Sequence, residues 1–365
     1  MSDSSPDTLP NLGLVCITAS KDIRYRTVTR KRLLEQSDAG QRKILEDIYR
    51  DNIQTLDNAL QYCARAGIRL YRMPSSIFPF FDEDVGREVM TGLAPALART
   101  GGRANALGLR LVMHPDQFVV LSSDSPDVVA NSIKILQMHA DIMDLLQQPR
   151  SPWALLEIHG GKAGRGAELA ARIAELPDAI RLRLCLENDE YAYNAEQIHA
   201  VCVASGVPMV FDAHHHIVSE TLDSYDHPSV AEMLARARAT WAVPEHQLVH
   251  ISNGRDGFND RQHSDLIAVM PSSYAAAPWI EIEAKLKEEA ICGLAHWPPV
   301  AGRVPARIAP AAGALSSATA RPACTCFSRC AVRSCRASGS TWPSRRCWPC
   351  SSRGRTASSA ATSCT

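Results

Sequence analysis

Short apolar, β-branched runs recur along the chain, several of them closing on a polar or charged residue: NLGLVCIT (11–18), IRLYRMP (68–74), LRLVMHP (109–115), WALLEIHGG (153–161), LRLCLEND (182–189), PMVFDAHHH (208–216), QLVHISN (247–253) and PWIEIEAK (278–285). Runs that stay apolar rather than alternating suit strands buried on both faces. Segments of helical spacing separate them. In QRKILEDIYRDNIQTLDNALQYCARAG, Ile44, Leu45, Ile48, Ile53, Leu56 and Leu60 make one apolar stripe, and Gly67 stands where a helix ends. SPDVVANSIKILQMHADIMDLL and HPSVAEMLARARATW repeat the theme, each opening on Ser or His followed by Pro. Eight such strands alternating with helices predict one domain over residues 11–290, a parallel (β/α)8 barrel of the TIM type. The alternative, an open doubly wound sheet, lacks a glycine-rich phosphate loop after the first run.

Composition sharpens the boundaries. With 365 residues and 45% hydrophobic content the chain can bury a large core. No stretch of 18 apolar residues occurs, which argues against a membrane span. MSDSSPDTLP (1–10) lacks an apolar core and reads as a flexible N-terminus rather than a secretory signal. The formal net charge of zero conceals an asymmetry: all 39 acidic residues precede position 290, whereas ten arginines and no lysine follow it. Eight of the 12 cysteines also lie in that last part, leaving Cys16, Cys63, Cys185 and Cys202 as reduced core residues of a cytosolic body. Residues 291–365 show no periodicity. Their CTC and CWPC have no partner pair at zinc-site spacing, and a basic arm for nucleic acid is a second reading. The total loss of Asp, Glu and Lys favours a low-complexity tail, disordered or read out of frame, that stands outside the fold.

Candidate chemistry lies at the strand ends, where the βα loops of such a barrel converge. The third to the eighth runs close on His114, His159, Glu187, Asp212 with His214 to His216, His250 and Glu283. One histidine at a strand end is ordinarily a satisfied polar residue. Six successive ligand-type positions on one rim point to a multinuclear site for Zn2+ or Mn2+, with more ligands than one ion can use. Such a site can hydrolyse a phosphodiester; the same barrel with fewer ions also supports a metal-dependent sugar isomerase or epimerase.

The motifs LVMHPDQFVVL, LEIHGGKAG, CLENDE, VFDAHHH, VHISNGRDGFNDRQHSD and WIEIEAKLKE, in this order, resemble the strand-end motifs of the UV-damage endonuclease family, related in fold to the AP endonuclease IV barrels. NLGLVCI, RTVTRKRL and YRMPSSIFPF extend the resemblance to the first two strands. It implies a DNA repair endonuclease that nicks the strand immediately 5′ of UV photoproducts (cyclobutane dimers, 6-4 photoproducts), leaving a 3′-hydroxyl and a 5′-phosphate. Two to three divalent ions are implied, Mn2+ first, with Zn2+, Co2+ or Mg2+ as alternatives. Metal-ligand roles fall on His114, His159, Glu187, Asp212, His215, His250, His263 and Glu283, with Glu187 and Asp212 as bridging carboxylates. Glu187, Asp212, Glu283 and Lys285 become the catalytic candidates, Lys285 facing the phosphate or pairing with a carboxylate.

Gln117 and Phe118 correspond to the family's Gln-Tyr probe, which wedges into the duplex; phenylalanine keeps the stacking face. Arg24 and Arg26 belong to KDIRYRTVTRKR (21–32), six positive charges against one acid, placed after the first strand to track a phosphate backbone. Three departures stand out. Leu248 occupies a position where family members can carry a modified, metal-ligating lysine. Leu14 stands where some have Tyr, and would meet a lesion only through apolar contact. Thr18 stands where they have Asn. The expected partner is double-stranded DNA containing UV lesions, acted on by a monomer in the cytoplasm, at the nucleoid, without a nucleotide cofactor.

Overall fold

The computed structural model describes residues 10–115, 119–294 and 297. Eight strands lie among them: β1 (Asn11–Val15), β2 (Leu70–Met73), β3 (Arg110–Met113), β4 (Leu156–His159), β5 (Leu184–Glu187), β6 (Met209–Asp212), β7 (Leu248–Ile251) and β8 (Trp279–Ile282). They pair in chain order, all parallel, and β8 returns to β1 to close the barrel. The helices are α1 (Arg30–Leu34), α2 (Asp38–Arg65), α3 (Asp84–Ala106), α4 (Pro126–Leu145), α5 (Gly166–Ala174), α6 (Asp178–Arg181), α7 (Ala195–Ser205), α8 (Ala213–Ser219), α9 (Pro228–Ala239) and α10 (Lys287–Gly293). Each predicted apolar run thus contains its strand, and α2, α4 and α9 fill the three segments of helical spacing. Leu45, Ile48, Ile53, Leu56 and Leu60 are buried on α2, whose exit passes through Gly67 at φ 70°. No helix among the described residues is long and apolar enough to cross a membrane.

The barrel interior is stacked in layers. At its N-terminal mouth the Arg110 guanidinium lies over the rings of Trp153, Trp241 and Trp279 at 5.2, 5.9 and 5.3 Å. It donates to the carbonyl oxygens of Trp153, Pro152 and His246 at 2.8, 2.8 and 2.9 Å. Burial pulls its pKa down to about 10, which still leaves it charged at neutral pH. Above it Leu70, Val112, Cys185, Val210, Leu248 and Trp279 form one buried cluster drawn from six strands, which side chains on the barrel axis alone can do. Because a strand returns to the same face every second residue, the next layer follows from the sequence. Two positions on, these residues become Arg72, His114, Glu187, Asp212, His250 and Glu281. The filling therefore changes from apolar to charged within one pleat.

The last helix runs past position 290. Buried Glu288 accepts from the backbone N–H groups of Ala19 and Ser20 at 2.7 and 2.8 Å, and Ala290 and Leu294 are buried behind it. A stop codon after Glu289 is expected to cost about 2–4 kcal/mol through the lost burial of Ala290, Ile291 and Leu294. One after Pro299 leaves the melting temperature unchanged. Thermal melts of the two truncations test this; equal melting temperatures would show that the end of α10 contributes nothing.

Candidate metal centre

Glu187, at the end of β5, is the hub of the rim. Its carboxylate lies 3.2 Å from His114 Nε2, 3.6 Å from His159 Nε2, 3.2 Å from His215 Nδ1 and 3.3 Å from His250 Nδ1. Burial alone would raise its pKa, but His159 and His250, with hydrogen bonds from His114 and His215, hold it well below the usual carboxylate range. Burial in turn holds His159 below the ordinary histidine value. For His215, burial is outweighed by Asp212, Glu187 and Glu190, and its pKa rises well above that value.

Three successive histidines follow Asp212, and only one faces the axis. β6 stops at Asp212, whose side chain accepts from the His215 N–H at 2.8 Å and so caps α8. Consecutive residues of a helix point about 100° apart. His215 therefore turns to Glu187, while His214 bonds the Tyr225 hydroxyl at 2.7 Å and the Asp260 carbonyl at 2.8 Å. His216 bonds Ser229 Oγ at 3.0 Å, away from the rim. After β4 the chain passes close to Tyr193, and Gly160 allows it: a Cβ there would meet the ring at 2.3 Å, and Gly161 then takes φ 78°.

His250 is wholly buried and boxed by four carboxylates. Nδ1 lies 3.3 Å from Glu187 and 3.4 Å from Glu283, and Nε2 lies 3.1 Å from both Glu157 and Glu281. Burial opposes its charge, yet the four acids raise its pKa well above the ordinary value. Arg72 bridges Glu281 and Glu283 at 2.9 and 2.5 Å. With His250 it keeps both acids below their usual range, whereas burial pushes Glu157 up. Glu157, Glu281 and Arg72 were absent from the sequence-based candidates. The available signal was a charge inside an apolar strand, two residues from a rim ligand and hence on the same face.

The other candidates divide. His263 reaches the rim from the long β7–β8 connection, pairing with Gly254 and standing 3.8 Å from Glu283. Lys285 is exposed, and its backbone N–H, not its ammonium, anchors it to Ser264. Half-buried Lys287 is the lysine that senses Cys16, Arg72 and Glu283, and burial lowers its pKa. The expectation for Leu14 is corrected: it is 0% exposed, packed outside the barrel wall, and offers no surface to a DNA strand. Thr18 is also buried, its hydroxyl accepting from the Ile23 N–H. Arg24 is exposed; Arg26 is paired with Asp51, and Arg30 with Glu83, so the basic stretch presents less free charge than its sequence suggests. Gln117 and Phe118 lie outside the described residues.

The rim fits divalent ions. Glu187 Oε1, Asp212 Oδ2, His159 Nδ1 and His250 Nδ1 are buried without a hydrogen-bond partner, a costly state for polar atoms. His114–His159–Glu187, Glu187–Asp212–His215 and Asp212–His250–Glu283 each place three ligand atoms within 4.8 Å of one another. Mixed imidazole and carboxylate donors suit Zn2+ or Mn2+. Two clefts, of about 530 and 490 Å3, meet at His114, His159 and His215. Tyr191 lines the first and is 71% exposed, with the Arg261 guanidinium 4.0 Å over its ring.

Fold and rim together define a TIM-barrel enzyme with ligand groups for metal ions at its strand ends. The family model described as UV-endonuclease UvdE matches residues 10–301. The chain belongs to that family and is an endonuclease, which sets aside the sugar isomerase or epimerase. A UV DNA damage endonuclease of Nostoc sp. is 54% identical over 290 residues, 79% of this chain and 90% of the relative. One of Deinococcus radiodurans is 52% identical over 294 residues, 80% and 96% of the two chains. The crystal structure of SacUVDE shares the fold, with a TM-score of 0.63 at 22% identity over 78% of this chain and 98% of that one.

Proposed function

We propose that this endonuclease is metal-dependent and nicks DNA immediately 5′ of UV photoproducts, leaving a 3′-hydroxyl and a 5′-phosphate. One observation carries the reading: three of the four ligand triads among the described residues overlap at Glu187 and Asp212, as bridging carboxylates of two or three adjacent ions would. When bound, divalent ions lower the pKa of water and neutralise charge building on phosphoryl oxygens. His114 and His159 would hold one ion with Glu187, His215 a second with Asp212, and His250 and Glu283 another, His263 completing the outer edge. Mn2+ is the metal proposed.

The clefts on either side, of about 530 and 490 Å3, are of a size for displaced nucleotides. Arg24 lies on the loop after β1, which Asn52 pins by accepting from the Arg26 N–H and donating to the Arg26 carbonyl. Exposed Tyr191 offers a stacking face beside the centre, and Gln117 and Phe118 are the proposed wedge. Damage is selected because an already unpaired base is cheap to displace. Incubation with Mn2+ and a UV-irradiated, end-labelled duplex tests the reading by the position and chemistry of the cut. Nicks at random positions, or on intact duplex at equal rate, would overturn it. Phe118→Ala is expected to reduce the preference for damaged duplex about 5- to 150-fold, at about 1–3 kcal/mol per stacked base. Unchanged discrimination would place the wedge elsewhere.

A further inference from the structure

Below the rim lies a second charged cluster, in which Glu157, His250 and Glu281 also place three ligand atoms within 4.8 Å of one another. Glu157 and Glu281 come from β4 and β8, on opposite sides of the barrel, and both are 0% exposed. All four of their carboxylate oxygens are buried without a hydrogen-bond partner. They converge on one atom, His250 Nε2, at 3.1 Å each. A neutral imidazole has one lone pair and one N–H, so its two nitrogens cannot both bind metal. The deep side already holds the Arg72 guanidinium, 2.9 Å from Glu281, which repels a further cation. The same guanidinium reaches Glu283 at 2.5 Å, but on the rim side, where Nδ1 faces Glu187 and Glu283, both acids line the cleft of about 490 Å3 and Asp212 adds a third carboxylate, whereas Glu157 and Glu281 are 0% exposed.

We infer that Glu157 and Glu281 are positioning residues: they keep the His250 proton on Nε2 and turn Nδ1, as a lone pair, to the ion held with Asp212 and Glu283. Arg72, shared between Glu281 and Glu283, locks this layer to the rim. The inference rests on the reading of His250 as a metal ligand. Partners of this kind orient the ring and raise its basicity, and their loss typically weakens metal affinity about 10- to 100-fold.

The test is a Mn2+ titration of the metal-free protein, counting free ion by electron paramagnetic resonance, for wild type, H250A, E157Q, E281Q and each glutamine variant combined with H250A. The glutamines are isosteric, and circular dichroism melts report whether each variant folds. The expected result is that H250A weakens one ion, that E157Q and E281Q each weaken the same ion about 10- to 100-fold, and that neither weakens it further when combined with H250A. A purely structural role would instead add in the combined variants, and that overturns the inference. So does wild-type affinity in both single glutamine variants while H250A is weakened. Wild-type affinity in H250A overturns the metal-ligand reading itself and the inference with it.

Discussion

Glu187→Gln is expected to slow incision of UV-damaged duplex by about a thousandfold or more, about 4 kcal/mol of transition-state stabilisation, while the protein stays folded. Four histidines converge on this carboxylate at 3.2 to 3.6 Å. The amide keeps the shape and removes the negative charge that a bridging ligand supplies. Breaking a buried ion pair costs about 3–5 kcal/mol when the remaining partner stays charged, but imidazoles escape most of that cost by losing a proton. The core around it, with Leu184 and Leu186 fully buried on the same strand, is untouched. Single-turnover incision rates and a thermal melt separate the outcomes. Wild-type nicking would remove Glu187 from the centre, and an unfolded variant would make its role structural.

Removing divalent ions with a chelator is expected to stop incision and to lower the melting temperature, and added Mn2+ to restore both. Without ions, Glu187, Asp212, Glu281 and Glu283 crowd the interior against one guanidinium and whatever protons the histidines retain. An ion at a hundred times its dissociation constant adds about 2.7 kcal/mol to stability, and about 2–4 °C per kcal/mol makes the shift about 5–11 °C. Melts at graded Mn2+ and parallel nicking assays measure it. Full incision in chelator, with no shift on adding Mn2+, would refute the metal requirement.

The barrel was legible because its signals are local. Each strand is a short apolar run, each long helix a stripe with a cap, and both can be read in a window of a few residues. The candidate rim residues were legible for the same reason, since His159, Glu187 and Asp212 close strands β4, β5 and β6 and are the polar ends of apolar runs. Leu14, set against a lesion by the family resemblance, marks what a local reading leaves open. Alternation along β1 admits two faces, and which of them looks inward is set by pairing with β2 and β8, not by the run itself.

The eight strands, their alternation with helices and the residue types offered at the C-terminal rim all follow from local pattern. Tertiary structure alone decided which of His214, His215 and His216 faces the axis, because a helix cap at Asp212 sets their rotation. It also decided that Glu157 and Glu281, far apart in sequence, meet on one nitrogen of His250, and that Arg72 ties them to Glu283. The physical reason is barrel closure. Register fixes which side of every strand points inward, a slip of one residue would turn each side chain to the other face, and only the closed ring brings opposite strands within ligand distance.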